Sequence, residues 1–363
     1  MQSVGRFVRL IRVAIGFTAV MVVTSAIVYF AHASLILLFI ASCLSIVPLA
    51  FLMGRATESI GAYAGPRIGG LLSATFGNAV ELIIGIMALM NGLTELVKAS
   101  ITGSILGNLL LVLGLSFTVG GIRHPIQHFN VRAARSNASM LVLGVGLAFA
   151  IPAIFDSATG QAGWVMSKAV TAVSLCVYVL GLLFSLFTHR NLFESIESVA
   201  NKEANRPHSR KLTGAIILLF ASTVFVGIES EWLVKSISVI GKNMGLGELF
   251  MGVIVIAIVG NAAEHASAVW MAWKNRMDLS LEIAIGSSLQ VAMFVAPVLF
   301  VVSLLVGHPM SLVFSWPELA SMAAAVALIV VLMVDGESNW LEGIMAVGAY
   351  VLIAVGFYTL SAA

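Results

Sequence analysis

The sequence predicts an all-α membrane protein of eleven transmembrane helices, one extra N-terminal helix plus two inverted five-helix repeats. Three observations predict it. The composition is apolar and poor in charge, lysine and arginine crowd one side of the apolar spans, and a short polar motif recurs once at a fixed interval.

Hydrophobic residues make up 60% of the 363, charged residues only 10%, and mean hydropathy is +1.05. A soluble domain carries about 25% charged residues. Many stretches run without charge for the roughly 18–20 residues that cross a bilayer core. A net charge of +2, with no basic stripe interleaved with aromatics, excludes a nucleic-acid partner. Cys43 and Cys176 lie far apart in apolar runs and suggest neither a disulfide framework nor a thiolate metal site.

Apolar runs place the spans near 11–31, 34–54, 68–91, 96–120, 138–155, 165–188, 212–239, 248–273, 279–306, 316–334 and 340–360. The first, with Arg6, Arg9 and Arg12 before it and Ala31-His32-Ala33 after it, has signal-peptide features. Its length and the immediate start of the next span favour a retained helix. Counting loops from a cytoplasmic N-terminus puts 15 of the 19 Lys and Arg inside, and only Lys98, Lys168, Lys235 and Lys242 outside. The expected location is the cell (inner) membrane, multi-pass, with the C-terminus outside. Residues 1–33 then form the extra helix, 34–188 the first transport repeat, 189–211 a cytoplasmic linker and 212–363 the second repeat. The linker mixes Glu194, Glu197 and Glu203 with bases and reads as a solvated amphipathic segment or a weak regulatory element.

The repeat itself is explicit. Gly77-Asn78-Ala79-Val80-Glu81 returns as Gly260-Asn261-Ala262-Ala263-Glu264, an offset of 183. At the same offset Gly103-Ser104 returns as Gly286-Ser287, Leu106 as Leu289 and Gly69 as Gly252. The two glutamates fall in the third and eighth spans, an odd number apart, so the copies cross the membrane in opposite directions. Secondary transporters with inverted repeats bind their ions near mid-membrane, where the repeats meet.

Glu81 and Glu264 lie mid-span, where an ionised carboxylate costs about 2.5–3.5 kcal/mol or more unless it faces a cavity or a cation. Asn78 and Asn261 precede them by three residues and share their helical faces. The partner spans add Gly103, Ser104 and Asn108, and Gly286, Ser287, Ser288 and Gln290. Each of these polar residues alone could serve an interhelical hydrogen bond. Together they offer two carboxylates and neutral oxygens, the hard donors that suit Ca²⁺, with no thiol or histidine cluster for a softer metal. His265, beside Glu264, serves either a structural hydrogen bond or a proton-linked step. Secondary candidates are Glu282, at the cytoplasmic start of the ninth span, and Glu58 and Glu231, in the faint echo Thr57-Glu58-Ser59 and Glu229-Ser230-Glu231. Asp335, Glu337 and Glu342 read as a solvated cytoplasmic turn.

The segments 77–115 and 260–299, with GNAVEL, GSILGN, GNAAEH and GSSLQ, resemble the paired signature regions of the cation/proton exchanger family, within the calcium/cation antiporter superfamily. The likeness extends over GRATESIGAYAGPRIGGLLSATFGN and DGESNWLEG. It implies an eleven-helix fold that exports cytosolic Ca²⁺ against inward protons, by alternating access, with the second and seventh helices sliding as a gate. Glu81 and Glu264 would bind Ca²⁺ or protons in turn. Gly103, Ser104, Gly286 and Ser287 would break their helices, with Asn78, Asn261 and Gln290 as further ligands. The family's acidic linker is only sparsely represented here.

No enzyme activity and no cofactor are expected, Ca²⁺ being the transported substrate. Partners are Ca²⁺, protons and the lipid bilayer, and glycine pairs such as Gly103 and Gly107 leave a homo-oligomer open. Sodium/calcium exchange stands as the alternative, although neutral Gln290 and titratable His265 favour protons. An intramembrane metal-dependent enzyme lacks any supporting motif, and a passive channel would not need titrating carboxylates at mid-membrane.

Overall fold

The computed structural model describes residues 2–159, 163–184 and 209–362. Apolar runs fold into helices because the bilayer offers backbone groups no partner, so each span must satisfy its own. The helices are α1 (Gln2–Phe30), α2 (Leu35–Ala64), α3 (66–90), α4 (Thr94–Arg123), α5 (Val131–Asp156) and α6 (Gly163–Leu183). After the expected linker, which lies almost wholly outside the described residues, come α7 (Ser209–Met244), α8 (Glu248–Trp273), α9 (Met277–Leu305), α10 (Trp316–Leu332) and α11 (Trp340–Ala362). Nine are long and apolar enough to span a membrane, and two shorter apolar helices, Ala14–Phe30 and Trp316–Leu332, bring the described total to eleven. The chain is a multi-pass membrane protein in two inverted five-helix repeats behind one extra helix.

Three elements depart from the expected spans. The second and seventh run longer, to 30 and 36 residues, and pack along one another. The third is not continuous. It breaks at Gly77-Asn78 into Pro66–Phe76 and Ala79–Met90, with Asn78 (φ −101°, ψ 22°) leading the second piece. Glycine and asparagine both weaken a helix, yet Gly260-Asn261 stay helical inside α8. There the distortion sits one to two turns earlier, as a wide π turn over Met251–Ile256. Matching π turns widen α4 at Gly107–Val112 and α9 at Val291–Val295, in register with the repeat. Such turns mark functional positions in many helices.

Loops on the N-terminal face are tied together. Strand β1 (Gln127–His128) pairs antiparallel with β2 (Glu337–Ser338), Gln127 Nε2 donates to Ala272 O at 2.8 Å, and the Asn130 amide donates to Asp278 Oδ1 at 2.7 Å. Asp335, Glu337 and Glu342 belong to this tied region: Asp335 Oδ1 accepts from the Glu337 amide, and Glu342 Oε2 from that of Asn339.

The symmetry mates are packed differently. On the face opposite the N-terminus α8 is pressed onto α4: a Cβ at Gly252 would stand 2.5 Å from Ala99 Cβ, and one at Gly103 would overlap the Val253 carbonyl. On the N-terminal side, Gly69 instead meets Gly61 of α2, and Gly286 of α9 faces open space. One side is shut between the repeats and the other is parted. A methyl group should therefore be harmful at one glycine and harmless to folding at its mate. Gly103→Ala is expected to lose roughly 1–3 kcal/mol of stability by overpacking and Gly286→Ala almost none, read as thermal unfolding midpoints of the purified variants.

Candidate functional site

The α3 break and the π turns of α4 and α9 surround one point where the two repeats cross. Glu81 sits in the first turn of the second piece of α3, beside the free backbone amides that favour negative charge. Glu264 lies inside α8. The two carboxylates are neighbours across the repeat interface. Each packs against the glycine that precedes the other by four residues. The Cβ that Gly260 lacks would be 3.3 Å from Glu81 Cγ, and the one Gly77 lacks would be 3.5 Å from Glu264 Oε1. The GNxxE motif thus supplies a carboxylate and, one helical turn earlier, the space that admits its counterpart.

Amides and hydroxyls frame the pair from both repeats. Ser287 Oγ donates to Asn78 Oδ1 at 3.3 Å, and the symmetry-related contact has Asn261 Nδ2 donating to Ser104 Oγ at 3.0 Å. Asn78 Nδ2 also donates to Gln290 Oε1 at 2.5 Å, and Asn108 Nδ2 to Ser287 Oγ at 3.0 Å. Asn261 Nδ2 reaches Ala257 O as well, at 3.0 Å. Four acceptor or donor atoms remain buried and without a hydrogen-bond partner: Glu81 Oε1, Glu264 Oε2, Asn261 Oδ1 and His265 Nε2. Native interiors rarely leave such atoms unpaired without a reason. Three of these four atoms are oxygens, a donor set for a hard cation.

The structure gathers Glu81, Glu264, Asn78, Asn261, Ser104, Asn108, Ser287 and Gln290, with His265 at the edge, its ring beside Gly107 of α4. Gly103 serves close approach of α8 to α4. Ser288 is not turned to this centre: it is buried and its hydroxyl donates to Ala284 O of its own helix at 2.9 Å. Glu58 and Glu231 lie elsewhere, in exposed ion pairs with Arg55 at 2.5 Å and Lys235 at 2.6 Å. Glu282 is exposed four residues before Gly286, hence on the same side of α9. Among the described residues no group of three or more His, Cys, Asp or Glu is placed to hold a metal ion.

The two halves differ in the exposure of their glycines: Gly103 and Gly260 are buried, whereas Gly286 is half-buried and Gly77 exposed, while Asn78, Asn261, Ser104 and Ser287 are buried alike and Glu81, Glu264 and Gln290 half-buried. If the glycine cradles matter as described, Gly260→Ala should fold normally yet displace Glu81. The expected result is divalent-cation stabilisation weakened by about tenfold or more in apparent affinity, since an ångström of misplacement suffices for such losses; thermal shift against divalent-ion concentration reads it.

Known proteins share the sequence and the fold of this chain. The sequence profile of the family described as sodium/calcium exchanger protein matches residues 34–187 and 214–359. A Ca²⁺/H⁺ antiporter of Bacillus subtilis (strain 168) is 50% identical over 325 residues, 89% of this chain and 92% of that one. A Ca²⁺/H⁺ antiporter of Synechocystis (strain PCC 6803) is 45% identical, covering 88% and 90%. The solved structure of native YfkE superposes with a TM-score of 0.83 at 45% identity, over 95% of this chain and 99% of that one. The chain belongs to the sodium/calcium exchanger protein family, among its cation/proton exchangers.

Proposed function

We propose that the protein is a Ca²⁺/H⁺ antiporter that exports cytosolic Ca²⁺ in exchange for external protons. The observation that carries this reading is the pair Glu81 and Glu264, neighbours between inverted repeats with one oxygen of each buried and unpartnered. Ionised, the pair and the surrounding amide and hydroxyl oxygens hold Ca²⁺. Protonated, it is neutral and releases the ion. The empty, doubly charged state is the costly one in a low-dielectric interior. That penalty resists return without cargo and couples the two fluxes. The relatives named as Ca²⁺/H⁺ antiporters support protons over sodium as the driving ion.

With a cytoplasmic N-terminus, the parted side at Gly286 opens to the cytosol and the shut side at Gly103 and Val253 faces outside. The N-terminal helix then spans 1–33, the transport repeats 34–188 and 212–363, and the cytosolic linker 189–211. Glu282 lies at the cytosolic mouth. Alternating access exchanges the two packings: α3 closes onto α9 as α8 leaves α4. The bare space at Gly286 has a use in that exchange, because its mate Gly103 shows the packing it must later adopt.

Three outcomes test this reading. Glu81→Gln and Glu264→Gln should each abolish Ca²⁺-dependent proton movement in inverted membrane vesicles, and wild-type exchange in both would refute the shared site. Lowering pH on the Ca²⁺-loading side should raise the apparent KM for Ca²⁺, because protons occupy the same oxygens; the reverse sign would contradict competition. In proteoliposomes Ca²⁺ uptake should follow a pH gradient and ignore a Na⁺ gradient, whereas uptake driven by Na⁺ would establish the sodium/calcium alternative.

A further inference from the structure

A second carboxylate is sealed in the helix bundle away from the central pair. Glu229 of α7 has no accessible surface, and Ser25 of α1, Ser42 and Ser45 of α2 and Ser230 of α7 are equally buried. Ser25 Oγ lies within hydrogen-bond distance of Glu229 Oε1 and, at 2.9 Å, of Val22 O. One hydroxyl hydrogen cannot serve two acceptors. A protonated Glu229 resolves the conflict: the carboxyl O–H donates to Ser25 Oγ, and the Ser25 hydroxyl donates to Val22 O.

The other side of the carboxyl suits the ionised form. Ser42 and Ser45 approach Glu229 from α2, yet neither hydroxyl closes a hydrogen bond, and Glu229 Oε2 is also without a partner. Thr57 and Ser59, on the same helix, donate to the carbonyl four residues back, so the two unpaired serines depart from their helix's habit. Loss of the proton would let Ser25, Ser42 and Ser45 turn their hydroxyls onto the carboxylate. Two helices thus offer Glu229 of α7 a partner set for each protonation state.

No cationic side chain among the described residues faces this carboxylate. The neighbouring titratable groups are Tyr29 on α1, stacked on Trp232 with ring centroids 4.7 Å apart, and Cys43 on α2. Along α7 itself, Glu231 pairs with Lys235 at an exposed position, and Arg55 and Glu58 pair further along α2. Without a countercharge, a proton is the ligand that the pocket can hold at least cost.

We propose that Glu229, with Ser25, Ser42 and Ser45, is a second proton-binding site that latches the extra helix α1 onto α2 and α7 and so adjusts exchange from the side opposite the N-terminus. The site lies five residues from the end of α1 and near the start of α2. The helices it joins, α2 and α7, flank the central pair: α2 packs on α8 and α7 on the second piece of α3. The adjustment of exchange rests on the antiporter reading, while proton binding at Glu229 does not.

The test separates the two. Infrared difference spectra between acid and alkaline buffer are recorded on the full chain in lipid, with Glu81→Gln and Glu264→Gln both present to silence the central pair. A titrating C=O band of a protonated carboxyl is expected, and adding Glu229→Gln is expected to remove it; a spectrum unchanged by Glu229→Gln overturns the site. If Glu229→Gln does not reach the membrane, Ser42→Ala with Ser45→Ala keeps the carboxyl and removes two donors to its charged form. The band's midpoint should then rise by about one pH unit or more, and an unmoved midpoint would equally overturn the site. With the central glutamates intact, Glu229→Gln should retain Ca²⁺ transport and flatten its dependence on external pH. A wild-type external pH profile would overturn the control of exchange.

Discussion

Two carboxylates held side by side where the inverted repeats cross set the terms for the rest of this molecule. Glu81 and Glu264 are neighbours with one unpartnered oxygen each, and in a medium of low dielectric neither can stay charged without company. Much of the surrounding architecture serves that contact. Gly77 and Gly260 leave the room each needs for the other's side chain. Asn78 and Asn261 reach across to Ser287 and Ser104 and fix the crossing of the repeats. The break in α3 places Glu81 in the first turn of a helix, where free amides ease its charge.

Symmetry of sequence with asymmetry of packing turns this static contact into a device. The same glycine register is closed between α4 and α8 and open at α9. On the proposed alternating-access mechanism, two near-equivalent halves that exchange these packings would form a bistable pair, biased by a small change of charge at their crossing. The unequal exposure of the paired glycines follows from the same difference. Glu229 extends the logic to the extra helix, where a lone buried carboxyl and three serines join α1 to the two long helices.

Much of this was legible in the chain. The eleven spans, the glutamates and most of their polar companions follow from hydropathy and from two echoes in one register, because a mid-span carboxylate is too costly to keep for packing alone. The break at Gly77-Asn78 was not legible: Gly260-Asn261 carry the same residues and remain helical, so the choice lies in tertiary packing. The lengths of α2 and α7 were underestimated because Arg55 and Glu58 end the apolar run of α2, and Arg210, Lys211 and Lys242 bound that of α7. Ser288 shared a plausible register but spends its hydroxyl on its own helix. Glu229 offered only a faint echo, since its meaning depends on serines from two other helices and serine carries no periodic signal.

The central claim, that one pair of carboxylates seats either Ca²⁺ or protons, is tested most directly by counting protons as Ca²⁺ binds to the purified protein. Calorimetric titration with Ca²⁺ in buffers of differing ionisation enthalpy gives that count. Ca²⁺ binding is expected to release protons from the wild type, and the release to fall away at alkaline pH, where the pair has already lost them. Ca²⁺ binding at neutral pH with no proton released would contradict it.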